Sequence, residues 1–324
     1  MGEKVQLGVG VEVTRGTPVA PAAWIPARTP SGIVTVLEKV QIKETKGAGI
    51  ASQGSEITQK RVEGDLEFNV RNKSFGYILK SLLGTTTPVT ALGATTHTFT
   101  RQTTGPQHPG LTLALAQPGQ QHYEYALGFV NALEIRTPVD DLVNATASFL
   151  AKSEATHADY TPAVVAEDEY FRNSDVVIKF AANVAGLAGA SAVGIKEFSL
   201  NINNNGRVNQ VLGSLSPNDV LALLTEISGS FTTDFEGVAT YYDIFKAGTY
   251  KAMSIAMERT DLPVLGTSAL KPKIEIILPK VSFDGYSPDR PLDDIVTEGV
   301  EFTAHYDDTD GAIKVILQNE QATY

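Results

Sequence analysis

The residues best suited to proton shuttling or metal ligation are five histidines, His97, His108, His122, His157 and His305. No two stand at i, i+2 or i, i+4, the spacings that bring two rings to one cation. His97 and His305 lie in threonine- and aromatic-rich text, where a surface or cross-strand histidine is the simpler reading. The chain has no cysteine, which removes disulfides, thiolate zinc sites, iron-sulfur clusters and cysteine nucleophiles. Adjacent carboxylates at Asp140-Asp141, Asp293-Asp294 and Asp307-Asp308 have the composition of an acid-base pair or a divalent-cation site. The first two pairs follow a proline by two residues, where aspartate caps local backbone amides. The third opens Asp307-Asp-Thr-Asp-Gly311, a hairpin-turn signal. Read as a calcium loop it would start on Tyr306 and end on Leu317, where a carboxylate is needed. Gly8-x-Gly10 lacks the third glycine of a dinucleotide fingerprint and no helix follows it. Phosphate-loop, nucleophile-elbow and zincin motifs are absent. A Ser/His/Asp triad has no fixed spacing, and no residue pattern supports one. The chain reads as a non-enzyme with no cofactor and no metal.

The elements that would position any such group are strands. From Ile33 onward, Val34, Val36, Val40 and Ile42 alternate with polar residues, the pattern of a half-buried strand. Similar text recurs at 62–70, 111–115, 127–150, 195–202, 227–235, 273–278 and 300–306. Two short helices are predicted. Phe75, Ile78, Leu79, Leu82 and Leu83 make one apolar stripe stopped by Gly84, and Val238 to Ala247 is stopped by Gly248. Pro217 to Leu224 fits a further helical turn with Ser216 as its cap. Residues 8–32 hold four prolines and four glycines, which predicts an extended surface arm.

The chain also resembles itself. Pro138-Val-Asp-Asp-Leu-Val and Phe149 match Pro291-Leu-Asp-Asp-Ile-Val and Phe302 without a gap, at an offset of 153 residues. Val62-Glu-Gly64-Asp-Leu66 and a helix ending at Gly84 match Ile227-Ser-Gly229-Ser-Phe231 and a helix ending at Gly248. Leu37, Val40 and Ile42 are placed over Ile195, Phe198 and Leu200, at an offset of 158. The expected organisation is an arm (1–32), a first repeat (33–152), a connector (153–189) and a second repeat (190–324). Asn203-Asn-Asn-Gly206 and Lys46-Gly-Ala-Gly49 mark the tips of long hairpins, whose unpaired edges another subunit would cover.

Length and composition agree with this. At ~150 residues per domain, 324 residues make about two domains, and 42% hydrophobic content can fill a core in each. Lys plus Arg is 26 against Asp plus Glu 37, a formal charge of -11 that disfavours a sequence-reading DNA-binding role. The opening residues lack a signal-peptide core, no stretch reaches membrane-span length, and Gln6 breaks the myristoylation pattern that Gly2 invites. A soluble intracellular product with no membrane partner is expected.

Gly8-Val-Gly-Val-Glu-Val-Thr-Arg-Gly-Thr-Pro-Val-Ala-Pro21 with Trp24-Ile25-Pro26 resembles the N-terminal arm of tail tube (major tail) proteins from long, non-contractile (siphophage) tails. Leu212-Gly213-Ser214 through Pro217 to Glu226-Ile-Ser-Gly-Ser230 and Phe235 resembles the strand after the long hairpin of that family. Together they cover about a fifth of the chain. The resemblance implies a mainly β fold: a tail-tube β-sandwich or barrel, here tandem-duplicated, each copy with a short flanking helix and a long hairpin. Inner sheets join around a ring and rings stack into a virion tube that DNA traverses without specific binding, after assembly in the host cytoplasm. It implies tape measure, tail terminator and tail tip proteins as partners. Such rings usually take six copies of one fold, so a doubled fold implies three chains per pseudo-hexameric ring, with six chains as the alternative. Inter-ring or inter-subunit contacts are expected at Thr17, Pro18, Trp24, Ile25, Pro26, Lys46, Gly49, Asn204 and Gly206, with Trp24 as an interface plug. Lumen-facing acids are expected at Glu38, Glu44, Glu63, Asp65, Glu67, Glu197 and Glu226. Deleting residues 1–32 is expected to leave rings or monomers that do not polymerise. The rival readings are another virion component, such as a terminator or capsid-decorating protein, and a carbohydrate-binding β-sandwich.

Overall fold

The computed structural model describes residues 5–28, 32–44, 52–103, 107–235, 240–292 and 295–324. The first half runs β1 (Gln6–Val11), β2 (Ala23–Ile25), β3 (Val34–Gln41), β4 (Ser55–Asn69), α1 (Phe75–Leu83), β5 (Gly84–Ala91), β6 (Ala94–Arg101), β7 (Leu111–Ala116), β8 (His122–Thr137), β9 (Asn144–Ala151) and β10 (Ser153–His157). The second runs β11 (Val176–Ala181), β12 (Ala192–Val193), β13 (Glu197–Asn203), β14 (Arg207–Asn209), β15 (Asp219–Leu221), β16 (Glu226–Asp234), α2 (Thr240–Ala247), β17 (Lys251–Glu258), β18 (Lys273–Asp289), β19 (Thr297–His305) and β20 (Lys314–Asn319). The fold is mainly β, as the alternation predicts. In β9 the odd-numbered Ala145, Ala147, Phe149 and Ala151 are buried and the residues between them are half-buried. α1 buries almost every residue, and Gly84 ends it at φ +91°, a conformation that suits glycine.

Seven ladders occur twice. β1–β2, β1–β7, β7–β8, β8–β9, β4–β9, β3–β4 and β8–β10 have the counterparts β11–β12, β11–β17, β17–β18, β18–β19, β16–β19, β13–β16 and β18–β20. Registers correspond residue for residue. Leu7 faces Ile25 and Leu115 as Ile178 faces Val193 and Ile255. The bulge of β8–β9 between Val130 and Ala132 returns in β18–β19 between Phe283 and Gly285. That of β7–β8 between Leu111 and Leu113 returns in β17–β18 between Lys251 and Met253. Alternation alone does not repeat bulges, so both halves carry one strand arrangement. α1 packs on β8 and α2 on β18. The hairpin β5–β6, which adds to β20, and the ribbon β14–β15 have no counterpart among the described residues.

Several details depart from the sequence reading. The expected arm is built into the sheet, because β1 lies between β2 and β7 with Leu7, Val9 and Ile25 buried. The expected connector contains β10 and β11, the latter pairing with β12 just beyond it, so the repeated arrangement spans β1–β10 and β11–β20. In the shared frame Val34 corresponds to Asn201, since Val34 faces Glu63 and Asn201 faces Ser228, each one residue before the glycine opposite phenylalanine. The offset of the first strand is thus 167 rather than 158. A period of two does not fix position along a strand, and the bulge between Glu38 and Lys39 reverses the alternation there. Pro217 precedes a strand, β15, rather than a helical turn. Asn203 to Gly206 is not a hairpin tip: β13 pairs with β16, and residues 204–225 make an excursion that carries β14–β15.

Candidate functional site: the polar sheet face and its open edges

Eight of the strands form one run in the order β3-β4-β9-β8-β13-β16-β19-β18. The halves meet within it at the β8–β13 ladder, where Leu133 faces Ile202 and Glu134 faces Asn201. One side of this run is apolar. A row across it reads Leu66, Ala147, Leu133, Ile202, Ile227, Ala304 and Val281, and all but the half-buried Ala304 are buried. The neighbouring row, facing the other way, reads Glu67, Thr146, Glu134, Asn201, Ser228, Thr303 and Ser282. Period-two alternation puts the whole core on one side and leaves a hydroxyl- and carboxylate-rich side to solvent.

Of the expected lumen acids, Glu63, Asp65, Glu67, Glu197 and Glu226 share this polar side. Asp65 faces Ser148, Glu197 faces Thr232 and Glu226 faces Asn203. Glu38 is on the same side of the β3–β4 ribbon, paired with Arg61, which also holds Glu63 at 3.0 Å. Glu44 lies beyond the end of β3, with its carbonyl accepting from Gln53. Sequence reasoning missed Glu134 and Glu301, and the basic Arg136, which holds Glu134 at 2.8 Å. Hydrogen bonding to Glu134 raises the Arg136 guanidinium further above its ordinary value, as Glu63 and then Glu38 do for Arg61. An open groove of about 530 Å³ over the junction is lined by Glu67, Glu134, Arg136, Glu197, Ser199 and Ser230.

The expected contact residues divide. Thr17 and Pro18 are exposed in the β1–β2 loop, and Pro26 is half-buried. Trp24 is no free plug: it is 7% exposed and packs on Ala114 and Ala116, with Tyr160 edge-on at 5.6 Å. Strand pairing with β1 turns the indole, and Ile25 beside it, into its own subunit. Asn204 is fully buried and holds the excursion in place. Its Nδ2 donates to the Leu82 carbonyl at 2.8 Å, and its Oδ1 accepts from Thr225 Oγ1 at 2.7 Å. The Gly206 amide donates to Asn131 Oδ1 at 2.5 Å, a contact that a Cβ would obstruct. Lys46 and Gly49 lie outside the described residues.

The candidate chemical residues serve local structure. Asp141 accepts from the Leu142 amide and pairs with Arg28, and both lower its pKa. Asp307 Oδ1 accepts from the amides of Thr309 and Asp310, the turn role expected of it. Asp293 and Asp294 lie outside the described residues. Among the described residues no group of three or more His, Asp or Glu side chains is placed to hold a metal ion, and no helix is long and apolar enough to cross a membrane.

A strand arrangement used twice in one sheet, with its surface chemistry spread over a face rather than gathered in a cleft, is the architecture of a β-rich structural protein. A family model described as phage tail tube protein matches residues 2–304, and the chain belongs to that family. It is a structural protein of the virion tail. No curated protein matches the chain.

Proposed function

We propose that the protein polymerises as stacked rings, three chains to a ring, into the tube of a long non-contractile tail through which DNA is ejected. The observation that carries this is the β8–β13 ladder, which already joins two copies of one arrangement edge to edge with a single polar face. Repeating that join around a ring closes the sheet and removes its edges. Eight strands per chain give about 24 per ring. At ≈ 4.8 Å between strands that is a circumference of about 115 Å and a backbone diameter of about 37 Å, wider with strand tilt. Side chains narrow this to a bore that still admits duplex DNA, whereas six chains would double the diameter. The polar side then faces the lumen. Its carboxylates repel phosphate, so DNA slides without the counterion-release binding that a basic wall would cause. Assembly takes place in the host cytoplasm, and the ends and interior of the tube meet tail terminator, tail tip and tape measure proteins. Electron cryomicroscopy of assembled tubes tests the reading: threefold rings with a narrow barrel are expected, and six chains per ring would overturn it.

A further inference from the structure

The internal β8–β13 ladder has two half-joins left over. Among the described residues β3, the counterpart of β13, is laddered to β4 alone, and the last part of β18, the counterpart of the end of β8, is laddered to β19 alone. We propose that the end of β18 of one copy pairs antiparallel with β3 of the next in the register of the internal junction: Val34 opposite Ser287, Thr35 opposite Tyr286 and Val36 opposite Gly285. This rests on the ring reading above and names the strands and residues that make the contact.

The register follows from two correspondences already described. Val34, Thr35 and Val36 stand in the first half where Asn201, Ile202 and Asn203 stand in the second. Ala132, Leu133 and Glu134 stand where Gly285, Tyr286 and Ser287 stand, since both triplets follow the same bulge. Asn201 faces Glu134, Ile202 faces Leu133 and Asn203 faces Ala132.

Burial shows what is missing at the open ends. Leu133 and Ile135 are 0% and 2% exposed beside β13, while their counterparts Tyr286 and Pro288 are half-buried and exposed. On the other side Ile202 is fully buried and its counterpart Thr35 is half-buried. A second copy supplies for each edge what β13 and β8 supply for each other. Pro288 has no N–H to give, so the ladder is strongest over Gly285 to Ser287.

The chain's lack of cysteine makes the register directly readable by disulfide trapping. The variants are V34C/S287C and T35C/Y286C, one of which is a non-hydrogen-bonded, closer pair, with V34C/G285C as a two-residue slip on the same face. After assembly and copper-phenanthroline oxidation, at least one in-register variant should give linked dimers and a closed three-chain species on non-reducing gels, and the slipped variant should give neither. Mixing V34C chains with S287C chains should give dimers only, which shows that the link is between copies. Preferential linking of the slipped pair, or no linking in either in-register variant within rings that form normally, would overturn the proposal. Failure of the unsubstituted protein to form rings would instead strike the ring reading.

Discussion

Gly229 stands directly opposite Phe302 in the β16–β19 ladder, and a Cβ on it would come within 2.5 Å of the Phe302 ring and 2.3 Å of the Ser199 carbonyl oxygen. Gly64 stands opposite Phe149 in the same way, and its Cβ would meet the backbone of Gly32 and Ile33 at 2.5–2.7 Å. Each phenylalanine is buried, opposite a position where the close approach of another segment's backbone leaves room only for glycine.

Gly229→Ala should therefore cost roughly 2–4 kcal/mol of stability, because backbone and ring must both move. Gly299→Ala is the matched control. Its Cβ would meet only the Ser287 carbonyl, at an ordinary 3.4 Å, and stability should change by less than about 1 kcal/mol. Urea unfolding of the three proteins checks this, and equal losses would show that close packing at 229 is not what requires glycine.

The glycine-phenylalanine pair is also what was legible in the sequence. The ungapped Pro138/Phe149 and Pro291/Phe302 match falls on a ladder whose geometry both copies share. The equivalence of β1 with β11 was not legible, since Leu7-Gly-Val and Ile178-Lys-Phe share only alternation. Hence the first strand of each repeat reads as an arm in one half and as part of a connector in the other. The polar face could be read from the residues between the apolar ones in β4, β13 and β16. Its continuity could not, because it depends on the β8–β13 join. Asn204 reads as a turn residue in the sequence because its partners, Leu82 and Thr225, are distant in sequence or lie across the excursion.

His108 predicts a pH dependence. It is 2% exposed, and burial, then the charges of Arg101 and Arg15, lower its pKa from 6.5 to about 4. Arg101 reaches Nε2 at 2.6 Å, which makes that nitrogen the acceptor and leaves Nδ1–H to donate to the Ser81 carbonyl at 3.1 Å. With the folded value depressed, this stabilisation is complete above pH 6.5 and is lost as pH falls to about 4, on the order of 3 kcal/mol. The same arginines hold Leu223, Asp219 and Val220 of the excursion. Unfolding measured from pH 7 to 4 should show this loss, and His108→Gln should lack that component. An unchanged slope in the variant would refute the assignment.

The polar face predicts a separation of assembly from delivery. Replacing Glu63, Asp65, Glu67, Glu197 and Glu226 together by Lys leaves the core side of every strand untouched, so tubes should still form. DNA ejection should slow and become salt-dependent, as added salt weakens phosphate binding to the new cations. Ejection from virions carrying the variant, followed at low and high salt, decides the matter. Unchanged ejection at both would mean that these residues do not line the channel.

Stacking predictions shift from the arm to the rims. Deleting residues 1–32 removes β1 from beside β7, together with buried Leu7, Val9 and Ile25, and should unfold the first half rather than leave free rings. A cleaner probe is the loop that each copy carries after its longest strand. Val139, between β8 and β9, is 56% exposed, and its counterpart Leu292, between β18 and β19, is 102% exposed. Val139 and Leu292 follow strand ends at the same rim of the sheet, opposite the end of β13 from which residues 204–225 depart. Apolar side chains repeated at equivalent points of one rim fit contact with the next ring rather than with a neighbour in the same ring. Val139→Asp with Leu292→Asp should leave the thermal stability of the subunit within about 0.5 kcal/mol, since both sites are exposed. The variant should yield closed rings that do not elongate, visible by negative-stain microscopy as short discs. Tubes of normal length would place the stacking contact elsewhere.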